Sequence, residues 1–477
     1  MTAISLLRPE LIVPGVLVLA LALAVGVWNW RWSIYGLLCY LPFSGIPILA
    51  AYPGRTERAV AILAKDFVFV IPAYVGFLAF FALRRRRFWF PGAPLVLFGL
   101  LALVVLIQAF NPELPNHLIG FVGIKIWLFY IPLVFLGYHL VQSRPDLFRV
   151  LGLMSLVAIV PIMVGLVEVV LYYAGEAGTV YSAYGDAAAP ATQNFTTFVL
   201  PGGCEIRRVP STFSFFYQYY LFAASMIVIV YGWWRGSRPA GRQLWGGGVL
   251  FGLVCLAALF SGLRLAFVVI PLLVIVMLIL ARKSANTLPW AAVAAGACVL
   301  LVGGGVGAGT CGIAQHLTAT TTEETHHVIT TGVSEAVHRT WLGLGAGADS
   351  TGARYAFPNV EQASLPVGSV QESWYVKTYL ELGVFGLVIV AALLGTILFR
   401  IFRLHQRIRD PRLKVVSAGI VALIGWVLLY NVKAQYLDLD PINIYFWLFI
   451  GMLMKFPLLE REPTEASPQP EPVLVEA

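Results

Sequence analysis

Apolar residues run along this chain in long blocks, with neither the strict alternation of a strand nor the single stripe of a surface helix. Blocks lie near 10–30, 32–52, 64–83, 93–110, 123–142, 150–174, 211–234, 244–261, 265–281, 290–309, 376–399, 414–432 and 442–456. Each approaches the roughly 20 residues that a helix needs to cross a bilayer core of about 30 Å. The pattern predicts twelve or thirteen membrane-spanning helices, the first two divided only by Asn29-Trp-Arg-Trp32. It divides the chain into ten helices over 1–309, a polar loop over 310–375, and the last helices over 376–456. The tail 457–477, rich in Pro and Glu, has too little apolar surface to bury and is expected to be disordered in the cytoplasm. No internal repeat is visible, and the loop over 310–375 is the one extramembrane segment expected to be large enough to form a lid.

Composition agrees with the pattern. Of 477 residues, 59% are hydrophobic and 12% charged, with a mean hydropathy of +0.82, against about 25% charged in a soluble domain. The expected fold class is therefore an all-α polytopic membrane protein. Lys and Arg collect in alternate loops: Arg84 to Arg87, Arg144 with Arg149, Arg235 with Arg238 and Arg242, Arg282 with Lys283, and Arg400 through Lys414. Cytoplasmic loops carry such an excess, so 111–122, 175–210, 262–264, 310–375 and 433–441 are expected to face outward. The net charge of +8 then reads as an anchoring asymmetry and not as a nucleic-acid surface. The first apolar block has no A-x-A-like site after it, so no cleavable signal is expected. Cys39, Cys255 and Cys298 fall inside spans as small core residues. Cys204 and Cys311 lie in outward segments, where an oxidising compartment would permit a bond.

Charged side chains at the edge of apolar blocks are costly and are usually kept for an anionic partner or a functional path. Arg264 stands in Phe260-Ser-Gly-Leu-Arg-Leu-Ala-Phe267, a tight turn between two blocks, and Arg207 with Arg208 precede Pro210-Ser-Thr-Phe-Ser214 on the same face. Paired guanidinium forks suit the oxygens of a diphosphate; the structural alternative is pairing with Glu205. Gly343-Leu-Gly-Ala-Gly347 lacks the strand and the Lys-Ser/Thr of a phosphate loop and fits a compact turn that lets backbone approach a ligand or another helix. His326, His327 and His338 form no metal-ligand pattern, and no cofactor motif stands out. Glu168, Gln218, Lys125 and Asp66 lie inside blocks, where interhelical hydrogen bonding is the common use. Glu372 opens Glu372-Ser-Trp-Tyr-Val-Lys-Thr-Tyr-Leu-Glu-Leu-Gly-Val-Phe-Gly386, just ahead of an apolar block. It is either a solvated carboxylate at the positive end of a helix or a base at a membrane surface.

These segments together resemble the superfamily of O-antigen ligases and O-antigen or exopolysaccharide polymerases. PSTFSFFYQYY at 210–220 is similar to the family's segment after its first loop Arg. FSGLRLAF resembles its Ser-Arg turn, and WLGLGAG at 341–347 looks like its P-x-x-G-x-G-x-G turn, with Trp341 and Leu342 where Pro and its neighbour often stand. Ligases of the superfamily show His, then Asn or Ser, nine residues, and Gly-x-x-Gly. Here Ser373 is followed by nine residues and Gly383-Val-Phe-Gly386, but Glu372 occupies the His position, a departure that favours a polymerase.

The resemblance implies a GT-C-like fold with one large periplasmic loop, in the bacterial inner membrane. It implies metal-independent, inverting glycosyl transfer between undecaprenyl-diphosphate-linked glycans, without a cofactor, alongside a flippase and chain-length regulators. Arg208 and Arg264 would stabilise the leaving diphosphate. Arg207, Arg339 and His338 would assist in binding, Trp374 and Tyr375 could stack on sugars, and Glu372 would be the base. Transfer of the glycan to a lipid A core, or transport of lipid-linked glycan, are the alternatives.

Overall fold

The computed structural model describes residues 9–83, 92–199, 205–237, 242–263, 266–281, 332–350 and 371–461. Within these, the chain forms α1 (Pro9–Trp28), α2 (Trp30–Tyr40), α3 (Gly45–Ala50), α4 (Arg55–Lys65) and, after a π-helical turn at Asp66–Val70, α5 (Ile71–Leu83). There follow α6 (Ala93–Ala109), α7 (His117–Leu128), α8 (Leu133–Leu140), α9 (Arg144–Tyr173), α10 (Ala177–Ala183), α11 (Ala189–Thr196), β1 (Thr197–Val199), β2 (Glu205–Arg207), α12 (Phe216–Gly236), α13 (Arg242–Leu259) and α14 (Ala266–Leu280). A helix over residues 332–339 precedes α15 (Trp374–Arg407), α16 (Pro411–Tyr430) and α17 (Ile442–Glu460). The two strands pair antiparallel, Phe198 opposite Ile206, as a small ribbon outside the bundle.

Six of the described helical stretches are long and apolar enough to cross a membrane, and four shorter apolar helices accompany them. The protein is an all-α polytopic membrane protein. Its middle is α17, α12 and α16, which are covered on nearly every side. Around them stand α6, α9 and α15, whose outer faces expose Leu103, Ile107, Val160, Val170 and Val388. In water such a belt would be a liability; against acyl chains it requires no cover.

Twelve of the thirteen expected spans coincide with helical residues, and 290–309 lies outside the described residues. Several boundaries differ from expectation. The block 32–52 breaks at the 3-10 turn Leu41–Phe43, which contains Pro42, and 123–142 breaks at residues 129–132, which contain Pro132. Pro132 has no backbone N–H to continue the ladder. The block 211–234 becomes helical only at Phe216, because Ser211 to Phe213 form a buried turn with Ser211 at φ 53°. The last helix runs on through 457–460, and the tail beyond 461 is outside the described residues. The segment 175–210, expected as an outward-facing loop, builds α10, α11 and the ribbon; of 310–375, expected to form a lid, only 332–350 and 371–375 are among the described residues. Cys39 and Cys255 form no disulfide; Cys204, Cys298 and Cys311 lie outside the described residues.

Among the described residues, the basic segments around Arg144 and Arg400 to Arg412 meet at one end of the bundle. Arg144 pairs with Asp410 at 2.9 Å and donates to the Leu459 carbonyl at 3.0 Å, Glu460 receives the Arg409 amide at 2.6 Å, and Gly92 lies beside the Arg400 guanidinium. Segments 111–116, 205–215, 260–263, 341–350 and 431–441 meet at the other end.

Candidate functional site

The N-terminus of α15 organises that second end. Ser373 is its cap and accepts from the Val376 amide, which puts Glu372 one residue outside the helix and exposed. Trp374 is buried, with its amide on the Asn431 carbonyl at 3.0 Å and its indole N–H on Asp438 Oδ1 at 3.0 Å. The half-buried Tyr375 donates its hydroxyl to the Leu428 carbonyl at 2.8 Å. Both aromatics therefore tie α15 to α16 and the loop after it.

One helical turn further, Lys377 and Glu381 share a face at i, i+4 and are both fully buried. Lys377 forms an ion pair with Asp438 and holds its ammonium 5.1 Å from the Trp127 ring centroid. Glu381 accepts the Trp127 indole N–H at 2.6 Å and the Asp349 amide at 3.0 Å. Asp349 in turn accepts the Gln371 amide at 3.1 Å, which returns the network to the residue beside Glu372. Buried ions persist only where such partners meet their charge. Sequence reasoning passed over this pair because it sits within an apolar run. The signal was a Lys and a Glu four residues apart at the start of a predicted span.

The turn 341–347 docks on a break in the same helix. At Gly383 the backbone takes φ 72°, ψ −172°, a region open essentially to glycine alone. The Leu344 amide bonds the Leu380 carbonyl at 2.7 Å and the Val384 amide bonds the Trp341 carbonyl at 3.0 Å. A Cβ on Gly383 would overlap the Leu342 carbonyl, and one on Gly343 would lie 2.8 Å from the Gly383 nitrogen. From the other side, Gln108 and Asn111 donate to the carbonyls of Leu342 and Gly343, at 2.5 and 3.1 Å. The glycine-rich segment thus serves as the expected compact turn against another helix. The helix over 332–339 packs its Ala336 among Leu344, Val376 and Leu380 and leaves His338 and Arg339 exposed at its end. The His338 Nδ1 lies 2.7 Å from the Ser334 carbonyl oxygen.

The arginine segment is built from the ribbon and the 260–263 turn. The Arg208 amide bonds the Thr196 carbonyl at 2.8 Å, and the Val209 amide bonds the Ser261 carbonyl at 3.0 Å. Gly262, at φ 84°, rests so closely on the Arg207 carbonyl that any Cβ would overlap it. This contact sets the FSGLR turn directly against Arg207 and Arg208; Arg264 itself lies outside the described residues. Arg207 is held by Glu205 at 2.8 Å and by the Tyr181 hydroxyl at 3.0 Å, and Arg208 lies over the Phe216 ring, 4.4 Å from its centroid. Below them, Glu168 accepts the Ser211 amide at 3.1 Å and the Tyr184 hydroxyl. Burial pushes the Tyr184 hydroxyl well above its usual range, so it stays a neutral donor.

The loop 431–441 touches both halves. Tyr436 lies 6.0 Å from the Tyr217 ring, next to Phe216 under Arg208, while two residues later Asp438 holds Lys377 and Trp374. Asp440 of the same loop pairs with Lys65 at 3.0 Å. Its neighbour Asp66 takes Lys125 at 2.8 Å and the Tyr130 hydroxyl at 2.7 Å. Lys125, Asp66 and Glu168 thus serve in bonds between elements, as expected of polar groups inside apolar blocks. Among the described residues no three His, Cys, Asp or Glu side chains are grouped to hold a metal ion.

Fold and site together define a polytopic membrane protein that encloses charged pairs at the loop-bearing end of its helices. Comparison with models of known protein families and with curated proteins gives no match.

Proposed function

We propose that this protein is a polysaccharide polymerase, joining undecaprenyl-diphosphate-linked oligosaccharide units at the periplasmic face of the bacterial inner membrane. The observation that carries the reading is convergence. PSTFSFFYQYY, the FSGLR turn, WLGLGAG and ESWYVKTYLELGVFG carry the resemblance to the polymerase and ligase superfamily. They are scattered between 210 and 386, yet their described residues meet at one end of the bundle through direct backbone bonds and the 431–441 loop.

In this reading an acceptor hydroxyl attacks the anomeric carbon of the donor. The bond to the diphosphate breaks with its electron pair on the departing oxygen, and the proton passes to the Glu372 carboxylate. Arg208, with Arg264, the residue that follows the adjoining 260–263 turn in the sequence, meets the charge that develops on the diphosphate, which is where fixed cations lower the barrier most. Arg207 is already engaged by Glu205 and Tyr181 and orients the ribbon. Of the two acids in the α15 stretch, Glu381 is enclosed and Glu372 is exposed, so Glu372 is the one that a hydroxyl can reach. Trp374 and Tyr375 support the helix start, which moves them from sugar contact to positioning.

The test is donor consumption by the purified protein in liposomes, with lipid-linked repeat units offered as acceptor in one arm and lipid A core in the other. Chain growth in the first arm alone is expected. Transfer to lipid A core would instead make the protein a ligase, and movement of donor across the bilayer without consumption would make it a transporter.

A further inference from the structure

Exposure alone does not make Glu372 useful as a base, because a carboxylate on a loose backbone samples many positions and takes a proton only from within about 3 Å. Its neighbours in the chain are held firmly. Gln371, on the N-terminal side, is bonded at both backbone groups: its N–H lies 3.1 and 3.2 Å from the two oxygens of Asp349, and its carbonyl receives the Gln435 side-chain amide at 2.6 Å. On the C-terminal side, Ser373 caps α15 and the Trp374 amide bonds the Asn431 carbonyl at 3.0 Å. Glu372 thus stands between two fixed points with its own side chain exposed.

The two anchors of Gln371 differ in origin. Asp349 is fully buried and its amide lies on Glu381 at 3.0 Å, so the N–H side is fixed from inside the bundle. Gln435 belongs to the 431–441 loop. Asn431 shapes that loop by accepting the Tyr436 and Leu437 amides at 2.9 and 3.4 Å, and Asp438 fastens it to Lys377 and Trp374. A carbonyl oxygen only accepts, so the Gln435 atom facing Gln371 is the N–H of its amide. Both residues are half-buried, and water can take over the bond at little cost in stability. What water cannot supply is direction. We infer that Gln435 is a positioning residue for Glu372: its amide fixes the Gln371 carbonyl and so aims the carboxylate at the acceptor hydroxyl. The role rests on the reading of Glu372 as the base. The same loop packs Tyr436 against Tyr217, next to the Phe216 ring under Arg208, so it sets the base relative to the diphosphate as well.

Donor consumption by the full-length protein in liposomes is followed over a range of donor concentrations for wild type, Glu372→Gln, Gln435→Met and the double variant. Gln435→Met keeps an unbranched side chain without a donor. It should lower kcat roughly ten- to hundredfold, the scale of a misplacement of about 1 Å, and leave KM for the lipid-linked donor unchanged, since Arg208 and Arg264 are untouched. The double variant should be no slower than Glu372→Gln, because a base that is absent cannot be misaimed. Gln435→Lys, which keeps an N–H donor, should restore kcat. Unchanged kcat in Gln435→Met, or a further fall of the same size in the double variant, overturns the positioning role and leaves the base in place. Unchanged consumption by Glu372→Gln overturns the reading of Glu372 itself, and the positioning role with it. Should Gln435→Met not fold, Gln435→Asn, whose amide is drawn back by one methylene, serves the same comparison.

Discussion

At the scale of single residues, the α15 start separates two kinds of carboxylate only nine positions apart in sequence. Glu372 is exposed outside the helix cap and Glu381 is sealed among Trp127, Asp349 and Lys377. Glu372→Gln should lower donor consumption by about 10²–10⁴, the usual worth of a positioned base, without moving the unfolding midpoint; unchanged turnover would remove Glu372 from the chemistry. Lys377→Met should do the reverse, leaving Asp438 without its ion-pair partner. Breaking one side of a buried pair costs about 3–5 kcal/mol, readable as a lower midpoint in thermal unfolding of the detergent-solubilised protein. Replacing Lys377 and Asp438 together by apolar residues should recover part of that loss, since an enclosed pair is weak evidence of net stabilisation.

At the scale of elements, two glycines fix where the loops rest. Gly383→Ala would force a Cβ into a backbone region that costs about 1–3 kcal/mol and onto the Leu342 carbonyl. The turn 341–347 should then lift from α15, measured as faster amide hydrogen exchange at Leu344 and Val384, while exchange in α12 stays slow. Gly262→Ala should push the FSGLR turn away from Arg207 and Arg208. If that turn carries half of a diphosphate clamp, the Michaelis constant for the lipid-linked donor should rise severalfold; an unchanged constant would argue against the clamp. Neither contact could be read from the glycine pattern alone, because a Gly-x-Gly segment is equally suited to a ligand or to another backbone. The partner is chosen by what the fold brings within reach.

At the scale of the whole molecule, the alternation of basic loops predicts sidedness. In a cysteine-free background, Gln371→Cys should react with a membrane-impermeant thiol reagent added to the outer side of the membrane, and Arg407→Cys should react only after the membrane is permeabilised. Labelling of both from one side would invalidate the orientation. The expected spans were legible because the bilayer imposes a length and a composition that any single block must satisfy by itself. So was the use of Lys125 and Asp66 in bonds between elements, whereas Glu168 turns to Ser211 and Tyr184 outside the long helices, and Gly383 entered only as part of the Ser-x9-Gly-x-x-Gly spacing. The breaks at Leu41–Phe43 and at 129–132, the folded cap over 175–210, and the burial of Trp374 were not legible, because each depends on neighbours distant in the chain. The same holds for the Lys377, Glu381, Asp438 and Trp127 cluster, whose members come from three separate segments. The sequence by itself determined that this is a bundle of apolar helices with one basic end, since hydrophobic transfer and loop charge act locally. Only the tertiary structure decided which charges are enclosed as pairs and which, like Glu372, stay open to a substrate, because burial and pairing are properties of a packed assembly.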